Sequence, residues 1–125
     1  MKNALKQFEK QQYLNLETFR KNGQGVKTPV WFAQDGDTLR IWTQADSGKV
    51  KRIHRDGNVR IVPSTASGEP TGEWAEAHAK VLEDTREVDF TARLFKKKYG
   101  IMFNLFGAMG KLRRAKYTTI QVEIH

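Results

Sequence analysis

The chain has 125 residues and a mass of 14.4 kDa, with 22 Lys and Arg against 14 Asp and Glu, a formal net charge of +8. That length fits one domain spanning residues 1–125, and 38% hydrophobic residues are enough for a core, which argues against wholesale disorder. The lack of cysteine excludes a disulfide scaffold, a zinc ribbon, an iron–sulfur protein and a cysteine nucleophile.

Residues 3–12 are mostly good helix formers with Leu5 and Phe8 on one face, so a short amphipathic helix is expected there. From Tyr13 the period changes to two: Tyr13, Asn15, Glu17 and Phe19 alternate with Leu14, Leu16, Thr18 and Arg20, the pattern of a strand. Asn22-Gly23-Gln24-Gly25 is a loop, and Lys27-Thr28-Pro29-Val30-Trp31-Phe32-Ala33 a second strand. Pro29 cannot donate to a ladder and belongs at an edge, a bulge or a strand start. Asp35-Gly36-Asp37 is a hairpin turn of the Asp-Gly type, after which Thr38–Thr43 pairs back as a third strand.

Asp46 or Ser47 then caps a helix over Gly48–Arg55, with Val50 and Ile53 three apart and facing the core. Asp56-Gly57 ends it. Asn58–Pro63 is a fourth strand, Ser64–Gly72 a polar loop and Glu73–Leu82 a fifth strand. Asp84-Thr85 caps a helix running to Tyr99, with Val88, Ala92, Phe95 and Tyr99 on one side; residues 100–111 suggest a further short helix and 116–124 a last strand. Strands joined by tight turns argue against a parallel, doubly wound sheet. Six strands in so short a chain make a small, closed or nearly closed antiparallel barrel the economical arrangement, mainly β with short flanking helices. No apolar run has the ~20 residues needed to span a bilayer and no secretory leader is visible, so the expected location is the cytoplasm.

The positive charge has a bland reading, solubility, and a sharper one, an anionic partner. The segment Thr43-Gln44-Ala45-Asp46-Ser47-Gly48-Lys49-Val50-Lys51-Arg52 carries the sharper one. A strand runs into a capped helix whose first turn offers unpaired N–H groups, a hydroxyl, a glycine and a lysine, the ingredients of a phosphate cradle. A capped helix with a solvated basic face looks similar, and the Walker pattern is absent. Lys49 and Arg52 share one helix face, Lys51 and Arg55 another; Lys49, in the first turn, is the better phosphate ligand. Pro29 in the second strand opens a place for a planar ligand against the backbone, or marks an ordinary edge strand. His54, His78 and His125 are spread along the chain and suggest no metal site, and His78 reads as structural or interfacial. No Ser/His/Asp spacing is recognisable. Lys96-Lys97-Lys98 and Lys111, Arg113, Arg114 and Lys116 read as solvated faces.

Four pieces resemble the split-barrel flavin and deazaflavin oxidoreductases of the pyridoxamine 5′-phosphate oxidase-like superfamily, and within it the branch described as F-420-dependent. They are Tyr13–Arg20, Lys27–Phe32, Trp42–Ile53 and Pro70-Thr71-Gly72, in the expected order within Tyr13–Gly72, a stretch of about half the chain. The resemblance implies a six-stranded antiparallel split β-barrel of the FMN-binding type that forms a homodimer with two cofactor sites at the subunit interface. By it, Lys27, Thr28, Pro29 and Val30 line the cofactor ring, while Thr43, Ser47, Gly48 and Lys49 hold the phosphate with Lys51 and Arg52 in support. The cofactor is deazaflavin (F-420) or FMN, and Ser67, where the pattern leads one to expect a basic residue, leaves FMN open. The implied activity is hydride transfer between the cofactor and an unknown small acceptor. The alternatives are a flavin- or deazaflavin-binding module for storage, transport or sensing without turnover, and a nucleic-acid-binding protein, which the scattered basic residues do not favour.

Overall fold

The computed structural model describes residues 2–102 and 116–125. Of the helix expected over 100–111, residues 103–111 lie outside the described residues, as do Arg113 and Arg114. Helix α1 (Lys2–Lys6) precedes strands β1 (Tyr13–Phe19), β2 (Gly25–Trp31), β3 (Ala33–Asp35) and β4 (Thr38–Gln44). Helix α2 (Gly48–Arg55), β5 (Asn58–Ser64), β6 (Ala75–Leu82), α3 (Thr85–Tyr99) and β7 (Tyr117–Ile124) follow. The strands form one antiparallel sheet in the order β2-β1-β5-β6-β7-β4-β3. It curls far enough for β2 to pack against β4, giving a half-barrel.

Strand alternation fills the inside of the curl. Leu14, Leu16, Leu39, Ile41, Ile61, Ile120 and Val122 are buried there, and Val50 and Ile53 of α2 join them. Burying each of these side chains contributes about 1.5–3 kcal/mol before entropy is counted. The first helix is shorter than its pattern suggests, ending at Lys6 and giving way to turns through Lys10, yet Phe8 still inserts into this core.

The second strand of the sequence reading is two strands, β2 and β3, broken at Phe32. The Phe32 ring turns inward and meets Phe8 edge-on at 5.9 Å. Its backbone is satisfied by side chains: the N–H donates to the Tyr99 hydroxyl at 3.0 Å, and the carbonyl accepts from that hydroxyl at 2.6 Å and from Lys98 Nζ at 2.7 Å. Backbone groups closed in this way need no ladder partner. This break makes seven strands where six were expected.

Strand β1 is buried on both faces rather than one. Asn15 Nδ2 donates to the Gly68 carbonyl at 2.8 Å, so the 65–72 loop lies over the outer face. Glu17, also buried, accepts from Arg60 at 3.0 Å. Helix α3 begins at Asp84, whose carboxylate accepts from Arg86 N at 2.8 Å. Buried Arg40 of β4 fastens this helix down, pairing with Asp35 at 3.1 Å and Glu87 at 2.8 Å and donating to Thr91 at 3.2 Å. Among the described residues no helix is long and apolar enough to cross a membrane.

Candidate functional site

Helix α2 begins where β4 ends, and its first turn carries no acidic side chain. Ser47 occupies the N-cap position with extended backbone (φ −69°, ψ 155°), as the sequence pattern suggests, but its hydroxyl caps nothing. The Ser47 Oγ is buried and has no hydrogen-bond partner among the described residues. A hydroxyl in that state costs about 1–3 kcal/mol, and at a helix N-terminus an anion would satisfy it together with the first N–H groups.

The two cations of this turn are held apart and pre-positioned. Lys49 Nζ donates to Thr43 Oγ1 of β4 at 3.2 Å, and Arg52 Nε donates to Thr18 Oγ1 of β1 at 2.6 Å. Burial, and then the neighbouring Arg52, lowers the Lys49 pKa below that of an ordinary lysine. Gly48 makes the close approach of Arg52 possible: a Cβ at that position would lie 2.8 Å from a terminal nitrogen of the Arg52 guanidinium. The donor set is therefore one orphaned hydroxyl, two fixed cations and free helix N–H groups, which suits a phosphate.

A separate cleft of about 300 Å³ is lined by Tyr13, Pro29, Val30, Trp31, Trp42, Phe95 and Tyr117. The Trp42 and Tyr117 rings stack at 4.0 Å with planes 10° apart, and Trp31 stacks on Tyr99 at 4.2 Å and 7°. Pro29 and Trp31 come from β2, the sheet edge, where a proline costs no ladder bond. Flat, half-buried aromatic walls of this kind suit a planar ring, and the volume lies at the lower end of the usual ~300–1,000 Å³ for ligand sites.

The residues singled out from the sequence thus divide. Thr43, Ser47, Gly48, Lys49 and Arg52 come together at the start of α2, and Pro29 and Val30 line the cleft. Thr28 is half-buried on β2 between these two and Lys27. Lys27, expected along the ring, does not line the cleft: its ammonium lies 5.3 Å from the centre of the Trp74 ring, which Arg60 also covers at 4.7 Å. Lys51 is exposed on α2. Tyr13, Trp31, Trp42, Phe95 and Tyr117 were not marked from the sequence. The signal of Tyr13, Trp31, Trp42 and Tyr117 was strand alternation, where a half-exposed aromatic resembles any other, and Phe95 is buried on α3 like an ordinary core residue.

His78 lies on the exposed side of β6 in a shallow depression with Lys80, Gln121 and Glu123, while His54 pairs with Glu83 at 3.0 Å. Among the described residues no group of three or more His, Cys, Asp or Glu is placed to hold a metal.

The family model described as pyridoxamine 5′-phosphate oxidase matches residues 1–125. No curated protein matches the chain. Among solved structures, the heme storage protein of Vibrio cholerae superposes with a TM-score of 0.73 at 11% identity, covering 99% of this chain and 89% of its own. An F-420 reductase gives 0.63 at 19% identity, covering 96% and 91%. An FAD-binding protein of Mesorhizobium loti gives 0.65 at 14%, covering 98% and 86%. These likenesses show a shared split-barrel fold. The chain belongs to the pyridoxamine 5′-phosphate oxidase family.

Proposed function

From that membership we propose that this protein is an oxidoreductase that binds a phosphorylated flavin-type cofactor, FMN or the deazaflavin F-420, and serves hydride transfer to or from a small acceptor. The observation that carries the reading is the start of α2, where the buried Ser47 hydroxyl lacks a partner among the described residues and Lys49 and Arg52 flank it. Ser47, Gly48, Lys49 and Arg52 would hold the phosphate, with Thr43 fixing Lys49. Pro29, Val30, Trp42 and Tyr117 would shape the place of the ring. The cofactor, when bound, supplies the hydride carrier. The chain's own residues bind it, orient it and keep water from the aromatic cleft. The related folds that are named for F-420 and FAD support a flavin-type cofactor without choosing between the two. Half-buried aromatics facing outward fit a homodimer that completes each cleft, and the family resemblance supports that assembly.

A second reading has an observation in its favour. Among the described residues, none that lines the cleft carries a carboxylate or an imidazole, which also suits a cofactor-binding module without turnover. Titration of FMN and of F-420 into the protein, followed by absorbance, tests the binding. At least one cofactor should bind about 10–100-fold more tightly than to a Ser47→Ala, Lys49→Ala double variant. Equal affinity for both proteins defeats the site. Binding without reoxidation by any of a panel of acceptors favours the module over the enzyme.

A further inference from the structure

The chain just past α3 departs from the rest of the surface. Ile101 is 74% exposed and Met102 45%, and among the described residues they are the only large hydrophobic side chains left open to this extent. Met102 borders a cleft of about 360 Å³ together with Lys10, Gln11, Gln12, Lys98 and Tyr99. The Tyr99 hydroxyl ties the two sides of this cleft together through the Gln12 carbonyl at 2.8 Å. None of the side chains lining it is acidic. The run Lys96-Lys97-Lys98 reads from sequence as a solvated face, and Lys96 and Lys97 are exposed. Lys98 instead turns its Nζ back onto the Phe32 carbonyl at 2.7 Å. Lys10 is exposed as well, and among the described residues Lys10, Lys96 and Lys97 enter no ion pair. Glu9, which precedes Lys10, is exposed and does not line the cleft.

We propose that this end of the protein docks on an anionic lipid surface, with Ile101 and Met102 entering the headgroup layer and Lys10, Lys96 and Lys97 facing lipid phosphates. Exposed apolar side chains gain by leaving water, and ammonium groups without partners gain from dispersed negative charge; a lipid surface with anionic headgroups offers both together. Two apolar side chains fall far short of the ~20–30 residues a side that a stable protein interface uses. Shallow insertion beside several lysines does suffice for reversible lipid binding. The net charge of +8 on the whole chain adds to the attraction. The cleft beside Met102, with the Lys10 ammonium and the Gln11 and Gln12 amides as donors, has room for one headgroup phosphate. None of these residues lines the aromatic cleft or belongs to the start of α2, so the docking stands apart from the cofactor reading.

The test is co-sedimentation of the full chain with vesicles of phosphatidylcholine alone and of phosphatidylcholine with about one-third phosphatidylglycerol. Only the anionic vesicles should bind, and less so as salt rises from about 50 to 300 mM. A lysine close to such a surface is worth about fivefold, so Lys10→Gln with Lys97→Gln should weaken binding about 25-fold. Ile101→Ser with Met102→Ser should weaken it about tenfold at unchanged charge. Lys21→Gln with Arg86→Gln removes the same charge at the far ends of β1 and α3 and should cost less than about threefold. All six positions are exposed, so the thermal melts should match that of the parent. Equal binding to both kinds of vesicle, or to neither, overturns the proposal. An equal loss in the Lys21 and Arg86 variant, which marks net charge alone, does the same, as does full binding by the Ile101 and Met102 variant. Release from the vesicles by millimolar glycerol 3-phosphate would make the cleft a site for a free phosphate ester. A dimer in sedimentation velocity that Ile101→Ser with Met102→Ser dissolves would assign the face to a second copy of the chain. Either result overturns lipid docking.

Discussion

The Tyr99 hydroxyl accepts the Phe32 N–H at 3.0 Å and lies 2.6 Å from the Phe32 carbonyl oxygen, so one side chain at the end of α3 closes both backbone groups of the residue that parts β2 from β3. Its single proton is shared with the Gln12 carbonyl at 2.8 Å, which ties in the approach to β1 as well. Replacing Tyr99 by Phe keeps the stacking on Trp31 and removes these bonds. The expected loss is about 2–3 kcal/mol in urea denaturation with an unchanged slope. A loss under about 0.5 kcal/mol would mean that water takes over both groups of Phe32.

Lys98 and Tyr99 give a pH signature. Burial lowers Lys98 to about 8 and raises Tyr99 above the ordinary tyrosine value. Between pH 8 and about 10 the unfolded chain holds more protons at Lys98 than the folded one, so stability should rise with pH there. Above about 10 the folded state keeps the Tyr99 proton that the unfolded state gives up, so that contribution falls. Thermal melts from pH 7 to 10 should show the rise, and a Lys98→Met variant should flatten it. An unchanged slope in the variant counts against Lys98 as its source.

Gly48→Ala should separate stability from binding. Alanine is the better helix former by up to about 1 kcal/mol. The added Cβ meets only the far end of Arg52, 2.8 Å away, which can swing clear. Stability should therefore hold or improve, while phosphate-bearing cofactors bind several-fold more weakly because Arg52 has left its place. Calorimetric titration beside a thermal melt reads both. Tighter cofactor binding by the variant would remove Arg52 from the site.

Lys49 predicts a proton linkage. Burial, with Arg52 nearby, makes its ammonium costly in the free protein, and a phosphate beside it would restore the charge. Cofactor binding should then take up protons, and affinity should weaken, once the pH has risen far enough for the free protein to lose the Lys49 proton. Titrations in two buffers of different ionisation heat measure the uptake. Lys49→Met should abolish it and lower affinity about 10–100-fold, with little loss of stability.

The barrel and the layout of the start of α2 were legible in the sequence for a common reason, the short reach of the signals. The period of two in Tyr13–Phe19 and Tyr117–Ile124, the capped start of α2 and the inward pair Val50 and Ile53 all rest on neighbouring residues. What stayed hidden depends on distant ones. The break at Phe32 is made by Tyr99, 67 positions away. The two-sided burial of β1 comes from the 65–72 loop through Gly68, and the enclosure of Lys98 comes from Phe32. The stacked pair Trp42 and Tyr117 forms only because β4 and β7 pair across the sheet. Lys27 matched the family's pattern for the ring, and its cation lies over the Trp74 ring, outside the lining of the aromatic cleft.

The position of β7 in the sheet bears on how the chain reaches this shape. Strand β7 lies between β6 and β4, and among the described residues its two ladders alone join β2-β1-β5-β6 to β4-β3. Until residues 117–124 have left the ribosome, the growing polypeptide can form only two separate sheets, each with an unpaired rim. Closure therefore waits for the end of synthesis of this segment, and the nascent protein spends that interval with sticky edges open to other chains. Cleavage just ahead of Tyr117 would uncouple the two halves.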